Sequence, residues 1–251
     1  MNKGIFRSLI TGWLLLTLPQ LASVADLAST LKILETGIEI TIQKKLPNNT
    51  LKLAPFNNPV KTVTLVQEET KSPLKIKPFP THWEISVPAS RKLLGSKIFI
   101  ETIGKPHLAG KAIINTPDKT GTISLPAHQA IVIGNELRYE PQPNKNTLGY
   151  WRDPEDYPEW LFQVPKPGKY RVVIHQGCGA DQGGSTAELR LGEETLKFKV
   201  KDTGSFQTFE ARKIGTLKVE STEVQSLQIH ITRLAKKAAM DLRLIELIPL
   251  D

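Results

Sequence analysis

The sequence predicts an all-β chain built as two β-sandwiches, and three observations lead to this prediction. Apolar and polar residues alternate in short runs along the chain, as in Ile38-Glu39-Ile40-Thr41-Ile42, and this period of two is typical of half-buried strands. The runs are separated by turn residues, with 18 prolines and 17 glycines in 251 residues. Helical periodicity is confined to a short turn expected at residues 26–34, so alternating strand-helix architectures are disfavoured.

The first 25 residues are typical of a secretory signal. Lys3 and Arg7 form a basic start, residues 10–18 are mainly apolar, and Ala22-Ser23-Val24-Ala25 matches a small-residue cleavage site. The apolar stretch ends at Pro19, which makes it short for a membrane anchor of about 20 residues. We expect cleavage after Ala25, a secreted or periplasmic location and no stable membrane insertion. An uncleaved anchor is the alternative.

The chain is basic, with 33 Lys and Arg against 25 Asp and Glu and a formal net charge of +8. The cations are scattered through the strand-like segments and form neither a block nor a recognisable nucleic-acid motif. This distribution favours solubility and a general attraction to polyanions, of which an acidic polysaccharide is one example. No nucleic-acid partner is expected.

Cys178 is the one cysteine of the chain, which excludes an intramolecular disulfide. Stability must therefore come from buried apolar area, which a chain of this length supplies in one or two domains. A free cysteine at the end of a strand is usually a small buried hydrophobic residue. A reactive nucleophile is the less favoured alternative.

In the first half, strands are expected at residues 38–42, 60–66, 83–87 and 97–101. The composition shifts near residues 115–121, and this shift predicts two domains, at residues 26–117 and 118–251. The first half is rich in Val and Ile and shows no convergent polar cluster. It is interpreted as a small β-sandwich that serves as a packing module.

The second half contains about ten strand-like segments, the number that a jelly roll requires. They lie at residues 122–125, 130–133, 137–140, 160–164, 170–175, 186–191, 196–200, 209–219, 227–232 and 240–247.

Aromatic residues in the turns of this half indicate a ligand. The segment Gly149-Tyr150-Trp151-Arg152 leads through a Pro-interrupted turn to Trp160. A pyranose presents a flat C–H face to an aromatic ring and a rim of hydroxyls to polar groups. Exposed aromatics beside polar loops on an all-β frame therefore predict carbohydrate binding.

Several motifs in order carry a family resemblance: Gly149-Tyr150-Trp151, Trp160, Pro167-Gly168-Lys169-Tyr170, Gly183-Gly184-Ser185, Thr203-Gly204-Ser205-Phe206 and Asp241-Leu242-Arg243. With them the second half resembles a galactose-binding-like carbohydrate-binding module, and more narrowly those appended to secreted bacterial alpha-L-fucosidases and sulfatases. Residues 60–106 are similar to the small β-sandwich that follows the catalytic barrel of alpha-L-fucosidases. That barrel needs about 250 residues and is absent here. A non-catalytic chain is therefore expected.

The resemblance also implies a ligand-binding site. By position, Tyr150 or Trp151 and Phe206 would stack on the sugar, with polar contacts from Arg152 and Asp181. Related modules often have Trp where this chain has Phe206, which stacks with less area and no N–H donor. The alternative is that Trp151, like Trp160, packs the core.

Many related modules hold a structural calcium. Asp241 matches the aspartate of the last strand in the family pattern. The first-strand position reads Ala127-His128-Gln129-Ala130 and lacks the expected acid, whereas calcium demands oxygen ligands. No other cofactor is expected, since the five His are dispersed and zinc ligand spacing is absent.

Two other functions remain open at this stage. In the first, the chain is a protein-interaction or scaffold module of the cell envelope, and its aromatics lie in an interface or the core. In the second, less favoured, it is a fragment of a glycoside hydrolase of the alpha-L-fucosidase type. Asp153, Glu155, Asp156 and Glu159 would be its candidate acids, but acids this close in sequence on a loop usually form a solvated turn, and hydrolysis needs a convergent pair. Arg152 and Asp156 could still contact sugar hydroxyls.

Overall fold

The computed structural model describes residues 29–89, 93–107 and 109–250. The signal sequence expected at residues 1–25 lies outside this part. Across these three stretches, the search for a helix with the length and apolar character of a membrane span found none.

Strands make up nearly all of the regular structure, with two short 3₁₀ turns at Pro47–Asn49 and Ala127–Gln129. The strands of the first half are β1 (Ser29–Leu34), β2 (Gly37–Ile42), β3 (Thr50–Leu53), β4 (Val60–Gln67), β5 (Thr70–Pro73), β6 (Ile76–Pro78), β7 (Trp83–Ser86) and β8 (Lys97–Thr102). Those of the second half are β9 (Ile114–Asn115), β10 (Ile123–Pro126), β11 (Ile131–Ile133), β12 (Arg138–Glu140), β13 (Thr147–Gly149), β14 (Tyr157–Phe162), β15 (Gly168–Cys178), β16 (Thr186–Leu191), β17 (Glu194–Lys199), β18 (Ser205–Val219), β19 (Gln225–Arg233) and β20 (Asp241–Leu250).

The first half is a sandwich of unequal sheets. Five strands pair in the order β1-β2-β8-β4-β5, and three pair in the order β3-β7-β6, all antiparallel. Alternate residues of β2 and β8 are buried, which places one face of each strand in the core, as the period of two requires. Trp83 is buried in this core with its ring centroid 4.4 Å from that of Phe56.

The second half is a sandwich of two larger sheets. One has the order β12-β13-β20-β15-β18, with β10 also paired to β20, and the other has the order β11-β14-β19-β16-β17. The short strand β9 joins the second sheet through a parallel pairing with β14. A single cluster of buried apolar side chains fills the space between the sheets. The predicted all-β class, with one β-sandwich in each half of the chain, is confirmed.

The two sandwiches are in direct contact. The backbone N–H of Val60 donates to the carbonyl oxygen of Pro141 at 3.0 Å, and Nε2 of Gln142 donates to the carbonyl oxygen of Ile76 at 3.0 Å. Tyr139 packs against both hydrophobic cores. The halves therefore share an interface in addition to the connecting chain. The boundary predicted at residues 117–118 stays a prediction, and β9 before it already pairs within the second sandwich.

The prediction of a helical turn at residues 26–34 is wrong over the part that the structure describes. Residues 29–34 form the edge strand β1, which pairs with β2 along its whole length. In β1, backbone groups pair with those of β2, whereas a single helical turn would leave most of them unpaired. An isolated helical turn is therefore unfavourable here. The sequence did not indicate β3, β5, β6, β9 or β13, which are all four residues long or shorter.

Candidate functional site

The strand register brings four loops of the second sandwich to one end, which we name the loop edge. The end of β15 faces the starts of β18 and β20, because Cys178 is opposite Ser205 and Gly177 is opposite Asp241. The start of β16 faces the ends of β17 and β19 in the same way, with Thr186 opposite residues in both strands. The loop edge consists of residues 150–156, 179–185, 200–204 and 234–240.

Asp202 fastens two of these loops together. Its carboxylate accepts hydrogen bonds from the backbone N–H of Asp181 and, at 2.7 Å, from that of Gly204. The hydroxyl of Thr203 accepts from the backbone N–H of Cys178 at 2.8 Å. These bonds fix the approach to β18, on which Phe206 is the second residue.

Phe206 is partly exposed, and its ring packs closely against Gly179. A Cβ atom at Gly179 would lie 2.7 Å from Cε2 of this ring, and one at Gly177 would lie 2.2 Å from the backbone oxygen of Phe206. Both positions therefore need glycine because of close approach. The ring has a supported inner side and retains exposed surface at the loop edge.

A shallow groove of about 610 Å³ lies beside these loops. It is lined by Asp181, Gly183, Gly184, Lys199, Val200, Lys201, Asp202, Arg212 and Lys236. Lys201 pairs with Glu210 at 2.8 Å, and Arg212 donates to the carbonyl oxygen of Lys199 at 3.2 Å. Among the described residues, no carboxylate lies within ion-pair distance of Lys199 or Lys236. The groove therefore presents two unpaired ammonium groups to a ligand.

Tyr150 occupies a different part of the loop edge, at a left-handed backbone position with φ of 60°. Its ring is half-buried, and the guanidinium carbon of Arg138 lies 3.3 Å from the ring centroid. The guanidinium carbon of Arg152 is 5.2 Å from the same centroid. The structure thus brings Tyr150 and Arg152 together, with cation–π contacts covering much of the ring. Within the described residues, no ring contact joins Tyr150 to Phe206.

Trp151 is fully buried, which corrects its assignment to the ligand-binding surface. Its indole Nε1 donates to the carbonyl oxygen of Asp156 at 2.9 Å, and its own carbonyl oxygen accepts from the backbone N–H of Ala239 at 2.8 Å. A buried indole whose N–H is satisfied by backbone is a core residue. Trp160 is equally buried, with its Nε1 donating to the carbonyl oxygen of Pro126 at 2.8 Å.

Asp156 is also buried and cannot reach a ligand. Its carboxylate accepts three backbone N–H bonds of 2.8 Å, from Asn135, Glu136 and Leu137. A Cβ atom at Gly134 would lie 1.9 Å from Oδ1 of Asp156, so this anchor also requires a glycine. The sequence did not indicate this structural role, although the turn residues at 134 and 135 mark the loop that Asp156 holds.

Asp241 and Glu140 converge beneath the loop edge. A Cβ atom at Gly149 would lie 2.5 Å from Oε2 of Glu140 and 3.1 Å from Oδ1 of Asp241. Both side chains are buried, and Oδ2 of Asp241 has no hydrogen-bond partner within the described part of the chain. Burial raises the pKa of Asp241 to about 8, and the Glu140 carboxylate adds to this rise.

These residues do not fit a calcium ion. Nζ of Lys145 lies 2.5 Å from Oε1 of Glu140, so an ammonium already neutralises one of the two acids. Calcium takes six to eight oxygen ligands. The described part of the chain holds no group of three or more His, Cys, Asp and Glu side chains that could bind a metal. Asp241 therefore lacks the partners that the resemblance implies.

Cys178 lies in the core below the loop edge. Its Sγ is 3.6 Å from the carbonyl oxygen of Ala239, and the side chain is fully buried. Burial raises the pKa of the thiol to about 11, and the nearby Asp202 and Asp241 carboxylates act in the same direction. The thiolate that nucleophilic chemistry requires is therefore disfavoured.

Comparisons with known proteins give structural neighbours only. No family model matches the chain, and no curated protein matches it. The C-terminal CBM6 of LamC, a marine laminarinase from Zobellia galactanivorans, is similar at 16% identity and a TM-score of 0.42, covering 51% of this chain and 98% of that one. A family 35 carbohydrate-binding module from Clostridium thermocellum is similar at 13% identity and 0.41, with 51% and 98% covered.

An alpha-L-fucosidase from Vibrio sp. strain EJY3 is similar over both halves, at 15% identity and a TM-score of 0.36. The match covers 86% of this chain and 38% of the fucosidase. The neighbours thus include the two classes of protein that the sequence resemblance named.

Proposed function

We propose that the loop edge binds a carbohydrate and that the chain is an exported, non-catalytic accessory module. The observation that carries this proposal is the position of Phe206, a partly exposed ring that packs against Gly179 and follows the 200–204 loop, part of which lines a polar groove. An aromatic face next to hydrogen-bonding and charged groups is the combination that sugar recognition needs. Export rests on the expected signal sequence alone.

The charges of the groove favour an acidic polysaccharide over a neutral one as the ligand. Lys199 and Lys236 have no acidic partner within the described residues, whereas Asp181 is exposed and free to accept from hydroxyls. Exposed ammonium groups attract carboxylated or sulfated chains, and this attraction is screened by salt. In this proposal the ring gives the stacking contact and the lysines contribute affinity for charge.

The contacts that Asp153 and Asp156 make in the turn support a non-catalytic role. Glycoside hydrolysis uses two carboxylates about 5 to 10 Å apart around the scissile bond. Asp156 is engaged by backbone N–H groups, and Oδ1 of Asp153 accepts from the N–H of Glu155 at 3.0 Å. Both acids accept hydrogen bonds from backbone N–H groups, and Asp156 is buried as well.

The second candidate function is a scaffold module of the cell envelope with a protein partner. Two observations favour it: Trp151 is buried, and Arg138 covers the ring of Tyr150. Of the three predicted stacking residues, this leaves Phe206 alone with an uncovered ring surface. The edge strand β1 also exposes Leu31 and Ile33, at 37% and 41%. An exposed edge strand is able to pair with a strand of another protein.

Calorimetry distinguishes the two candidates. The chain from residue 26 onward, which includes every described residue, is titrated with alginate, pectin, carrageenan, laminarin and cellulose oligomers. Phe206→Ala is expected to weaken binding about tenfold, a loss near 1.4 kcal/mol that matches one aromatic stacking contact. Phe99→Ala, a half-buried ring in the first sandwich, is the matched control and is expected to leave binding unchanged.

A second pair of variants tests the charge preference. Lys199→Gln combined with Lys236→Gln is expected to weaken binding to the acidic chains alone, and Lys169→Gln, an exposed lysine on β15, is the control. Silence across the polysaccharide panel, with a folded protein, refutes the carbohydrate proposal and leaves the scaffold function.

A further inference from the structure

A pocket of about 280 Å³ lies between the two sandwiches, away from the loop edge groove. Residues from both halves form its walls: Pro55, Phe56, Asn57, Phe79, Pro80, Thr81, Trp83, Ala109, Gly110, Ala130, Ile131, Val132, Arg138 and Tyr139. Ligand pockets occur preferentially at such domain interfaces. No local sequence pattern indicates this pocket, because its walls come from segments that lie far apart along the chain.

Two hydrogen-bond donors in this pocket are buried without partners. Asn57 is 4% exposed, and its Nδ2 has no hydrogen-bond acceptor among the described residues. Nε of Arg138 is likewise buried and unpartnered, although another nitrogen of the same guanidinium donates to the carbonyl oxygen of Glu136 at 3.3 Å. Leaving a buried donor unsatisfied is unfavourable, and most such groups in proteins have a partner. Two on one pocket indicate a missing acceptor.

The charges around the pocket favour an anionic acceptor. None of the described residues lining it is Asp or Glu, and Arg138 is a cation in its wall. Nζ of Lys77 lies 4.9 Å from the ring centroid of Phe79, so a second cation is next to the pocket. A carboxylate accepts from a guanidinium and an amide together, and bonds to ionised acceptors are the stronger ones.

The remaining walls are apolar and already in place. The ring of Phe79 stacks on that of His82, with centroids 4.8 Å apart and planes 5° from parallel. Trp83 is 1% exposed and supports Phe56 from the core of the first sandwich. A ligand would therefore meet fixed aromatic and proline surfaces, so little ordering is required on binding.

We propose that this pocket binds a small carboxylate, with the acid group on Asn57 and Arg138 and the body of the ligand against Phe79, Pro80 and Ile131. The volume lies just below the usual range for ligand sites, about 300 to 1,000 Å³, which suits a single six-membered ring bearing one acid group. A sugar acid and an apolar ring acid share this chemistry. The pocket is separate from the loop-edge groove, since the two share no lining residue, although Arg138 also contacts the ring of Tyr150 at the loop edge.

The test is calorimetry of the chain from residue 26 onward with two acids and their neutral counterparts. D-glucuronate is paired with D-glucose, and cyclohexanecarboxylate is paired with cyclohexanemethanol. Asn57→Asp keeps the shape of the side chain but replaces the donor by an anionic oxygen. Thr81→Trp fills the pocket from an exposed position, and Thr195→Trp, at an exposed position on β17, is its matched control.

Binding of at least one acid, with the neutral partner at least tenfold weaker, is the expected result. Asn57→Asp and Thr81→Trp should each weaken binding of the acid at least tenfold, whereas Thr195→Trp should not change it. Glucuronate alone identifies a sugar acid, and cyclohexanecarboxylate alone identifies an apolar acid. The proposal is overturned if neither acid binds, if the neutral partners bind equally well, or if Thr81→Trp, folded by circular dichroism, binds as the wild type does.

Discussion

Replacing Asp241 by Asn should stabilise the protein at neutral pH, an unusual result for a buried polar residue. The carboxyl is buried beside Glu140 with one oxygen unpartnered, and its pKa is about 8 in place of the ordinary 3.8. In the unfolded chain this group ionises as the pH rises above about 4. In the folded protein it keeps its proton up to about pH 8, so folding binds a proton throughout that window.

The sign and size follow from this proton. Since the folded state binds more protons than the unfolded state, the free energy of unfolding falls by about 1.4 kcal/mol per pH unit between pH 4 and pH 8 through this one group. At pH 7 the free energy of unfolding has fallen by at most about 4 kcal/mol, since pH 7 lies about three units above the ordinary pKa of 3.8. Asn carries no ionisable proton, so Asp241→Asn should recover about 2 to 4 kcal/mol at pH 7 and almost nothing at pH 4.

Urea denaturation at pH 4, 5, 6, 7 and 8 measures this difference. Asp118→Asn is the control with the opposite sign, because hydrogen bonds from Thr120 hold the pKa of Asp118 below its usual value. The stability that Asp118 contributes is present above its unfolded pKa and is lost as the pH falls. A pH-independent difference between wild type and Asp241→Asn, or a variant less stable than wild type at pH 7, would refute the reasoning.

Four further outcomes are expected. Asp156→Asn should lower the free energy of unfolding by about 1 to 3 kcal/mol in urea denaturation. In the wild type the backbone N–H of Glu136 donates to a carboxylate oxygen, and in the variant an amide nitrogen would take the place of that acceptor. Unchanged stability would contradict the anchor role. Trp151→Ala should cost about 3 to 5 kcal/mol as a core cavity, whereas Phe206→Ala should leave the melting temperature nearly unchanged; equal losses would place both rings in the core. Calcium or a chelator should not move the melting temperature, since an ammonium already contacts Glu140; a rise of several degrees with calcium would contradict the misfit. Cys178 should react with a thiol reagent at pH 8 only in urea, because burial raises its pKa to about 11; rapid labelling of the folded protein would show an accessible thiolate.

The strands were predictable where the pattern is local. Residues 38–42 alternate strictly between apolar and polar side chains, and residues 97–101 have an apolar centre. Both segments lie within observed strands, in which alternate residues are buried. Strand β5 reads Thr70-Lys71-Ser72-Pro73 and buries no side chain. It has no hydrophobic alternation, so only its pairing with β4 makes it a strand.

The candidate site was predictable only in part, because aromatic residues in a turn do not reveal which way they face. Trp151 is held in the core by hydrogen bonds to Asp156 and Ala239, and Ala239 lies 88 positions further along the chain. Phe206 faces outward because Gly179 leaves room beneath it. The interdomain pocket combines Asn57 with Arg138, residues whose proximity depends on how two sandwiches pack. Such pairings are set by tertiary structure and have no local signal.

The contact between the two sandwiches has a mechanical consequence. Bonds from Val60 to Pro141 and from Gln142 to Ile76, together with Tyr139 in both cores, leave the connection between the halves without a free hinge. A partner that grips the first sandwich would thereby also set the direction in which Phe206 points. If an enzyme were attached to the first sandwich, this rigid connection would hold the bound ligand at a defined distance and angle from it. The effective concentration of the ligand at the enzyme would then be higher than with a flexible linker of equal length.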